Sequence, residues 1–264
     1  MVAKNTSKSK NKKSISEKSL YLNTEIDTIL FEGVIEYDAK DAGFSVIKHH
    51  KLLPEEEIEK ISKLSKHDKN VYIGKLRGTD PELSKGMTRG LRDAVQNFII
   101  LNKIPNDIIL SIKNDAVFII GMPLITVTEV DGVVFSKKNV FTSYHFISGK
   151  EFYFNSKTGE LVTKGVKMPE GNLRDFFVTV FNKLESSSEV SSMLRYLTSI
   201  RSNYIRRRLP IDWYRDIDSG CYLLDIDGEA YEVGSMSEEY LPYVNITPNY
   251  MKYMLPLVQK ALQK

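Results

Sequence analysis

The sequence predicts an α+β fold: an antiparallel sheet with packed helices, followed by a mostly helical module. Three observations predict it. Between Ile108 and Val166, β-branched and aromatic residues are broken by turn signals at Lys113-Asn114, Asp131-Gly132, Ser148-Gly149 and Lys157-Thr158-Gly159, the pattern of a meander of short strands. Ahead of the meander lie stretches with helical spacing. Beyond a polar break at Pro169-Glu170-Gly171-Asn172, residues 173–185 and 189–208 read as two further helices, separated by Ser186-Ser187-Ser188.

Taken in order, the chain opens with a Lys/Ser/Asn stretch. Residues 1–19 carry six lysines and one acid, so this tail holds +5 of a net charge of +3 and the remainder is slightly acidic. Without apolar periodicity it is expected to be disordered. It reads equally as a salt-dependent tether for a polyanion or as a solubilising tail. Structure is expected from Leu20. Residues 28–37 read as a strand interrupted by Gly33. Residues 54–66 open with Pro54 and three glutamates, as a first helical turn should, and then place Ile58, Ile61 and Leu64 at spacing three. Residues 80–103 read as a long helix with Asp80 as cap and Pro81 in first position, although Gly86 and Gly90 weaken its start. After Pro210 a hairpin is expected around Asp227-Gly228 and a last helix over 248–263. The organisation is therefore a basic tail (1–19), an α/β core (20–168) and a helical basic module (169–264).

Composition excludes several classes. The chain has 264 residues, 42% hydrophobic and 27% charged, which suits a packed core rather than disorder throughout. No apolar run reaches the roughly 18 residues of a membrane span, so neither a membrane anchor nor a secretory signal is expected. The single cysteine, Cys221, forms no internal disulfide and points to a reducing, intracellular compartment. Four scattered histidines (His49, His50, His67, His145) lack zinc-ligand spacing.

Two aspartates carry the candidate chemistry. Asp38 ends the hydrophobic strand Val34-Ile35-Glu36-Tyr37-Asp38, and Asp115 stands at the turn of the hairpin Leu110–Ile120. A carboxylate among core residues costs stability unless its charge is satisfied. Two carboxylates on neighbouring strands can hold a pair of Mg²⁺ ions for phosphoryl transfer. The alternative reading of the same residues is plain turn and strand-end chemistry.

The run Asp38-Ala39-Lys40-Asp41-Ala42-Gly43-Phe44-Ser45-Val46-Ile47 resembles the first catalytic motif of family B DNA polymerases, Asp-x-x-Ser-Leu-Tyr-Pro-Ser-Ile. Asn114-Asp115-Ala116-Val117-Phe118 is similar to the end of that family's Asp-Thr-Asp-Ser-Val-Phe hairpin. Lys150-Glu151-Phe152-Tyr153, followed by Gly159–Val166, is similar to its Lys-Lys-x-Tyr segment and the later Val-Lys-Gly strand. Order and spacing agree over residues 30–168. The resemblance implies a polymerase palm followed by a thumb-like module. It implies Asp38 and Asp115 as catalytic residues and as ligands of Mg²⁺ or Mn²⁺, with Lys164 near a primer 3′ end and Lys150 on a backbone phosphate. A solvated strand face explains both lysines equally well. The reduced size implies a phage or viral protein acting in the host cytoplasm, with nucleoside triphosphates and a DNA or RNA template-primer as partners.

The departures from that family are specific. Lys113 stands where its hairpin carries the first aspartate, and a cation about 4 Å from a metal site opposes binding by about 4 kcal/mol at an effective dielectric near 20. Asp41 is the nearest replacement carboxylate in sequence. Gly43 takes the place of the tyrosine that excludes ribonucleotides, so sugar selection falls to Gly43 and Phe44, and a primase-like start of chains becomes an option. The family's fingers motif is missing, which leaves Lys75, Arg77, Lys85 and Arg89 as candidate triphosphate contacts.

In the last module Arg195, Arg201, Arg206, Arg207, Arg208 and Arg215 face one acid, Asp212, with Tyr196, Tyr204, Trp213 and Tyr214 interleaved. Arginines bind phosphates bidentately and aromatics stack on bases. Helical spacing puts Arg201, Tyr204 and Arg208 on one face. Two functions follow from all this: a template-directed nucleotidyltransferase (a DNA polymerase or primase of DNA replication), or a catalytically inactive palm-like nucleic-acid-binding accessory or structural protein of a phage.

Overall fold

The computed structural model of the chain describes residues 20–166, 173–187, 189–216 and 218–257. The basic tail, the boundary expected at 168/169 and the end of the last helix lie outside these residues. The architecture is α+β. Two compact units are present: Ile35–Asn139 together with the residues up to Asn23, and Thr24–Val34 together with Val140 onward. Strands β2 (Thr28–Lys40) and β6 (Val133–Ile147) run through both. Among the described residues, no helix is long and apolar enough to cross a membrane.

In the first unit the strand order is β1 (Leu20–Leu22), β3 (Ile109–Lys113), β4 (Ala116–Ile120), β2, β6, with β5 (Glu129–Val130) paired to β6. β1 and β3, β3 and β4, and β5 and β6 pair antiparallel. The turns fall where the sequence places them, because Asn114 and Asp131 tolerate the left-handed conformation they adopt, at φ 56° and 49°.

Four helices fill the interval between β2 and β3: α1 (Ala42–His50), α2 (Glu55–Ser62), α3 (Lys66–Thr79) and α4 (Pro81–Leu101). α4 starts at Pro81 despite its two glycines, since Asp80 Oδ1 accepts the N–H groups of Glu82 and Leu83 at 3.0 Å each. Gly90 has a packing reason: a Cβ there would lie 2.7 Å from Val46 Cγ1 and 2.8 Å from the His50 ring, so only glycine lets α1 and α4 approach this closely. The sequence gives no sign of α1 and α3. α1 is short and opens on Asp41 in a left-handed conformation without a side-chain cap, while α3 buries only Ile73 and shows no apolar stripe. Phe98 of α4 anchors the core, stacked on Phe135 at 4.4 Å and against Tyr37 at 5.6 Å between centroids.

In the second unit the order is β2, β6, β7 (Lys150–Asn155), β8 (Glu160–Lys164), with β6–β7 and β7–β8 antiparallel. Gly33 in β2 has φ 78°, and a Cβ there would sit 3.3 Å from the Phe141 carbonyl oxygen, which accounts for the glycine inside a strand. Helices α5 (Leu173–Ser186) and α6 (Val190–Ile205), the hairpin β9 (Tyr222–Ile226)–β10 (Glu229–Val233) and a C-terminal helical segment from Thr247 complete it. That segment passes into a π-helical turn over Tyr250–Met254, where a regular helix is expected from the sequence. Its core is aromatic: Phe152, Phe154, Phe176, Phe177, Phe181, Tyr204, Tyr214 and Tyr253 are all fully buried.

Candidate active site

Alternation along β2 puts Glu36 and Asp38 on one face and Ile35, Tyr37 and Ala39 on the other. The strand ends beside the β3–β4 turn, where the Ala39 N–H donates to the Asp115 carbonyl oxygen at 2.9 Å. The turn itself is tightened by the Asp115 N–H, which donates to the Lys113 carbonyl at 2.7 Å. The two aspartates singled out by sequence, 77 positions apart, are thereby neighbours at one end of the sheet.

Three further residues join them, all missed by sequence reasoning. Glu36 is buried and accepts from Asn139 Nδ2 at 2.6 Å. Lys138 Nζ lies 3.3 Å from Asp38 Oδ2 and 3.8 Å from Glu36 Oε1. Burial by itself lowers the pKa of the Lys138 ammonium, but Glu36, Asp38 and Asp115 together hold it above the ordinary lysine value. The ammonium that meets Asp38 is thus that of Lys138, on β6. The sequence did contain one signal for this cluster: an acid two places before Asp38 in a hydrophobic strand must share its face. Asp41, the candidate for a third carboxylate, occupies the N-terminus of α1 without capping it, and the third carboxylate of the cluster is Glu36.

A cavity of about 260 Å³ opens onto Asp115. α1 lines it with Gly43 and Val46, α3 with Arg77, α4 with Met87, Thr88, Leu91 and Arg92, and the hairpin turn with Asn114 and Asp115. Two guanidiniums and a carboxylate therefore face a partly apolar space. Of the cations expected to contact a triphosphate, Arg77 lines this cavity, and Arg92, not anticipated, joins it. Arg92 also pairs with Asp93 at 2.9 Å. Lys85 and Arg89 line an adjoining depression of α4 that shares Thr88 and Arg92 with the cavity, whereas Lys75 lines neither. Gly43 is at the cavity wall, 3.2 Å from Met87 Cε by its would-be Cβ. Phe44 points elsewhere, its ring under the Lys69 ammonium at 4.8 Å.

The nucleic-acid candidates of the second unit fare unequally. Arg195, Arg201 and Arg208 are exposed, Arg201 lying over the Tyr250 ring at 5.6 Å. Between Val190 and Ile211 the chain has no acidic residue. Tyr204 is a core residue: its ring is fully buried and stacked on Tyr214 at 4.8 Å, so no base reaches it. Lys150 pairs with Asp218 at 2.9 Å, and Lys164 stands opposite the buried Glu151 in the β7–β8 register. The Lys150–Asp218 pair extends into a network: Lys252 Nζ meets Asp216 Oδ2 at 2.5 Å and Asp218 Oδ2 at 2.8 Å, and Asp216 Oδ1 also accepts the N–H groups of Asp218 and Ser219. Burial alone raises the Asp216 pKa, but Lys252 and these two N–H groups bring it below the usual carboxylate value. The same lysines hold Asp218 low.

Among the described residues, no group of three or more His, Cys, Asp or Glu is arranged to hold a metal ion. The donor set at the sheet end is two aspartate carboxylates, Asp38 and Asp115, with hard oxygen atoms of the kind Mg²⁺ takes from one or two carboxylates when substrate phosphates supply the rest. These residues fit such an ion.

No curated protein matches the chain. A family model does, over residues 11–263, nearly the whole length, and its description names a phage gene product and no polymerase. The phage origin expected from the sequence is thereby shown, and the chain belongs to the bacteriophage PBS1 gene 130 protein family.

Proposed function

We propose that this phage protein is a template-directed nucleotidyltransferase of the polymerase or primase kind, acting in the cytoplasm of the infected host. The observation that carries the reading is the meeting of Asp38 and Asp115 at one sheet end, joined through the Ala39–Asp115 hydrogen bond, with the Arg77/Arg92 cavity opening onto Asp115. Asp38 and Asp115 would hold Mg²⁺ or Mn²⁺, which when bound polarises phosphoryl oxygens and stabilises the charge that develops on them. Arg77 and Arg92 orient the phosphates of a nucleoside triphosphate by bidentate hydrogen bonds. Gly43 leaves the cavity wall without a side chain, which suits tolerance of a ribose 2′-hydroxyl. The exposed arginines of α6 and its C-terminal extension offer contacts to the phosphates of a template-primer.

One observation favours a second reading. Lys138 neutralises Asp38 at 3.3 Å, as in a protein that binds nucleic acid without catalysis. The two readings separate in a nucleotide-incorporation assay on primed and unprimed single-stranded DNA, with Mg²⁺ or Mn²⁺, comparing deoxy- and ribonucleotides. Incorporation that disappears in Asp38→Asn, Asp115→Asn supports the transferase. No incorporation under any of these conditions, with DNA still bound, leaves the binding protein. Loss of neither activity nor binding in the double variant removes both aspartates from the function.

A further inference from the structure

The carboxylate cluster has an electrostatic problem that the chain solves from within. Glu36 is 3% exposed, Asp38 stands two residues along the same strand face, and the Asp115 backbone is tied to Ala39. Buried or crowded carboxylates without a counter-charge are expensive. The Asn139 amide offsets part of the cost at Glu36, but an amide brings no charge. The Lys138 ammonium does, reaching two of the carboxylates at 3.3 and 3.8 Å while its side chain remains 51% exposed. A lysine is suited to such a place, because its charge is a compact point on a flexible stem and can swing into solvent when another cation arrives.

We infer that Lys138 is a resident cation that holds the Glu36–Asp38–Asp115 cluster in the metal-free protein and competes with a divalent cation for Asp38. The inference rests on the reading that Asp38 and Asp115 hold a metal. Its consequence is a site kept folded and neutralised in the absence of metal and nucleotide. Metal entry then requires displacement of Lys138, so the ion binds well only when a nucleotide's phosphates contribute ligands of their own.

The test is Mn²⁺ binding, measured by titration calorimetry and by the loss of the free-ion paramagnetic resonance signal, with no nucleotide present. Wild type, Lys138→Met, Lys138→Arg and Asp38→Asn are compared. Lys138→Met is expected to bind Mn²⁺ about tenfold more tightly than wild type, since it removes a competing unit charge within about 4 Å. Lys138→Arg keeps the charge and is expected to stay near wild type, while Asp38→Asn loses binding. Thermal unfolding supplies a second readout. In chelator, Lys138→Met is expected to melt below wild type, and saturating Mn²⁺ should raise its midpoint by more than it raises that of wild type. Should the methionine variant fold only when Mn²⁺ is present, that too supports a resident cation. Equal Mn²⁺ affinities for wild type and Lys138→Met, with Asp38→Asn still defective, overturn the inference and leave the metal site standing. If none of the four proteins binds Mn²⁺, the carboxylates are not a metal site, and the transferase reading falls with the inference.

Discussion

Ala39 and Asp115 share a hydrogen bond, N–H to carbonyl oxygen at 2.9 Å, that fastens the end of β2 to the β3–β4 turn. Because it is made by backbone atoms, it persists whatever side chains the two elements carry. Asp38 and Asp115 are therefore presented together by main-chain geometry, and removing either carboxylate should leave the scaffold intact. That separation between scaffold and chemistry is what makes the site open to experiment.

The cavity wall gives the most direct check of substrate binding. Arg77→Ala is expected to raise the KM for a nucleoside triphosphate about tenfold or more, with a smaller change in kcat, as befits the loss of a charge-assisted phosphate contact. Arg92→Ala should be milder because its guanidinium is already shared with Asp93. Steady-state kinetics on a primed template measures both. An unchanged KM in Arg77→Ala would place the triphosphate outside this cavity.

Gly90→Ala sets two effects against each other. Alanine in a helix interior gains up to about 1 kcal/mol over glycine. Against that, the new methyl would lie 2.7 Å from Val46 and 2.8 Å from His50, and overpacking of this kind costs about 1–3 kcal/mol. The clash is expected to win by about 1–2 kcal/mol, seen as a lower midpoint in urea with an unchanged slope. A stabilised variant would mean that α1 gives way at no cost.

The Asp216–Lys252 pair predicts a pH window. Asp216 titrates below its ordinary value when folded, so its contribution is complete above the usual carboxylate range and is lost as pH falls through the folded pKa. Lys252 titrates above its ordinary value, so its share is complete below about pH 10 and is lost as pH rises through its folded pKa. Asp216→Asn should cost about 2–4 kcal/mol at pH 7, since it leaves a cation short of its buried partner. The gap between variant and wild type should close below pH 4. Thermal melts from pH 3 to 8 follow it, and a gap that persists at pH 3 would assign the effect to packing instead.

Nucleic-acid binding through the α6 arginines should show in its salt dependence. Replacing Arg201 and Arg208 by Gln is expected to reduce the slope of log affinity against log salt by about 0.7–0.9 per arginine that contacts a phosphate. Affinity should fall alike for all sequences. Fluorescence anisotropy with a labelled oligonucleotide at several salt concentrations gives the slope. If it does not move, these arginines are a solvated surface.

What could be read from the sequence divides along physical lines. The hairpins at 113–116, 131–132, 148–149 and 226–229 were legible because a turn is local: a few residues that accept positive φ, flanked by β-formers, suffice. The start of α4 was legible for the same reason, its cap and first-turn proline being adjacent in sequence. α3 was not, since a helix with one buried residue has almost no periodic signal.

At the site, local chemistry pointed to Asp38 and Asp115, two acids at a strand end and a turn. Which groups surround them was decided by tertiary structure alone. Asn139 reaches Glu36 across 103 positions, and neighbouring Lys138 looks in sequence like any lysine on a solvated strand. Tyr204 likewise has helical spacing with two arginines, yet the aromatic core of its unit claims it, and Lys150 is captured by Asp218. By itself the sequence determined the turns, the main helices, the α+β class and the two aspartates, since each follows from residues within a few positions of one another. The partner of each charge and the side on which each aromatic packs were left to the tertiary structure, because burial and ion pairing depend on distances in space that no local spacing encodes.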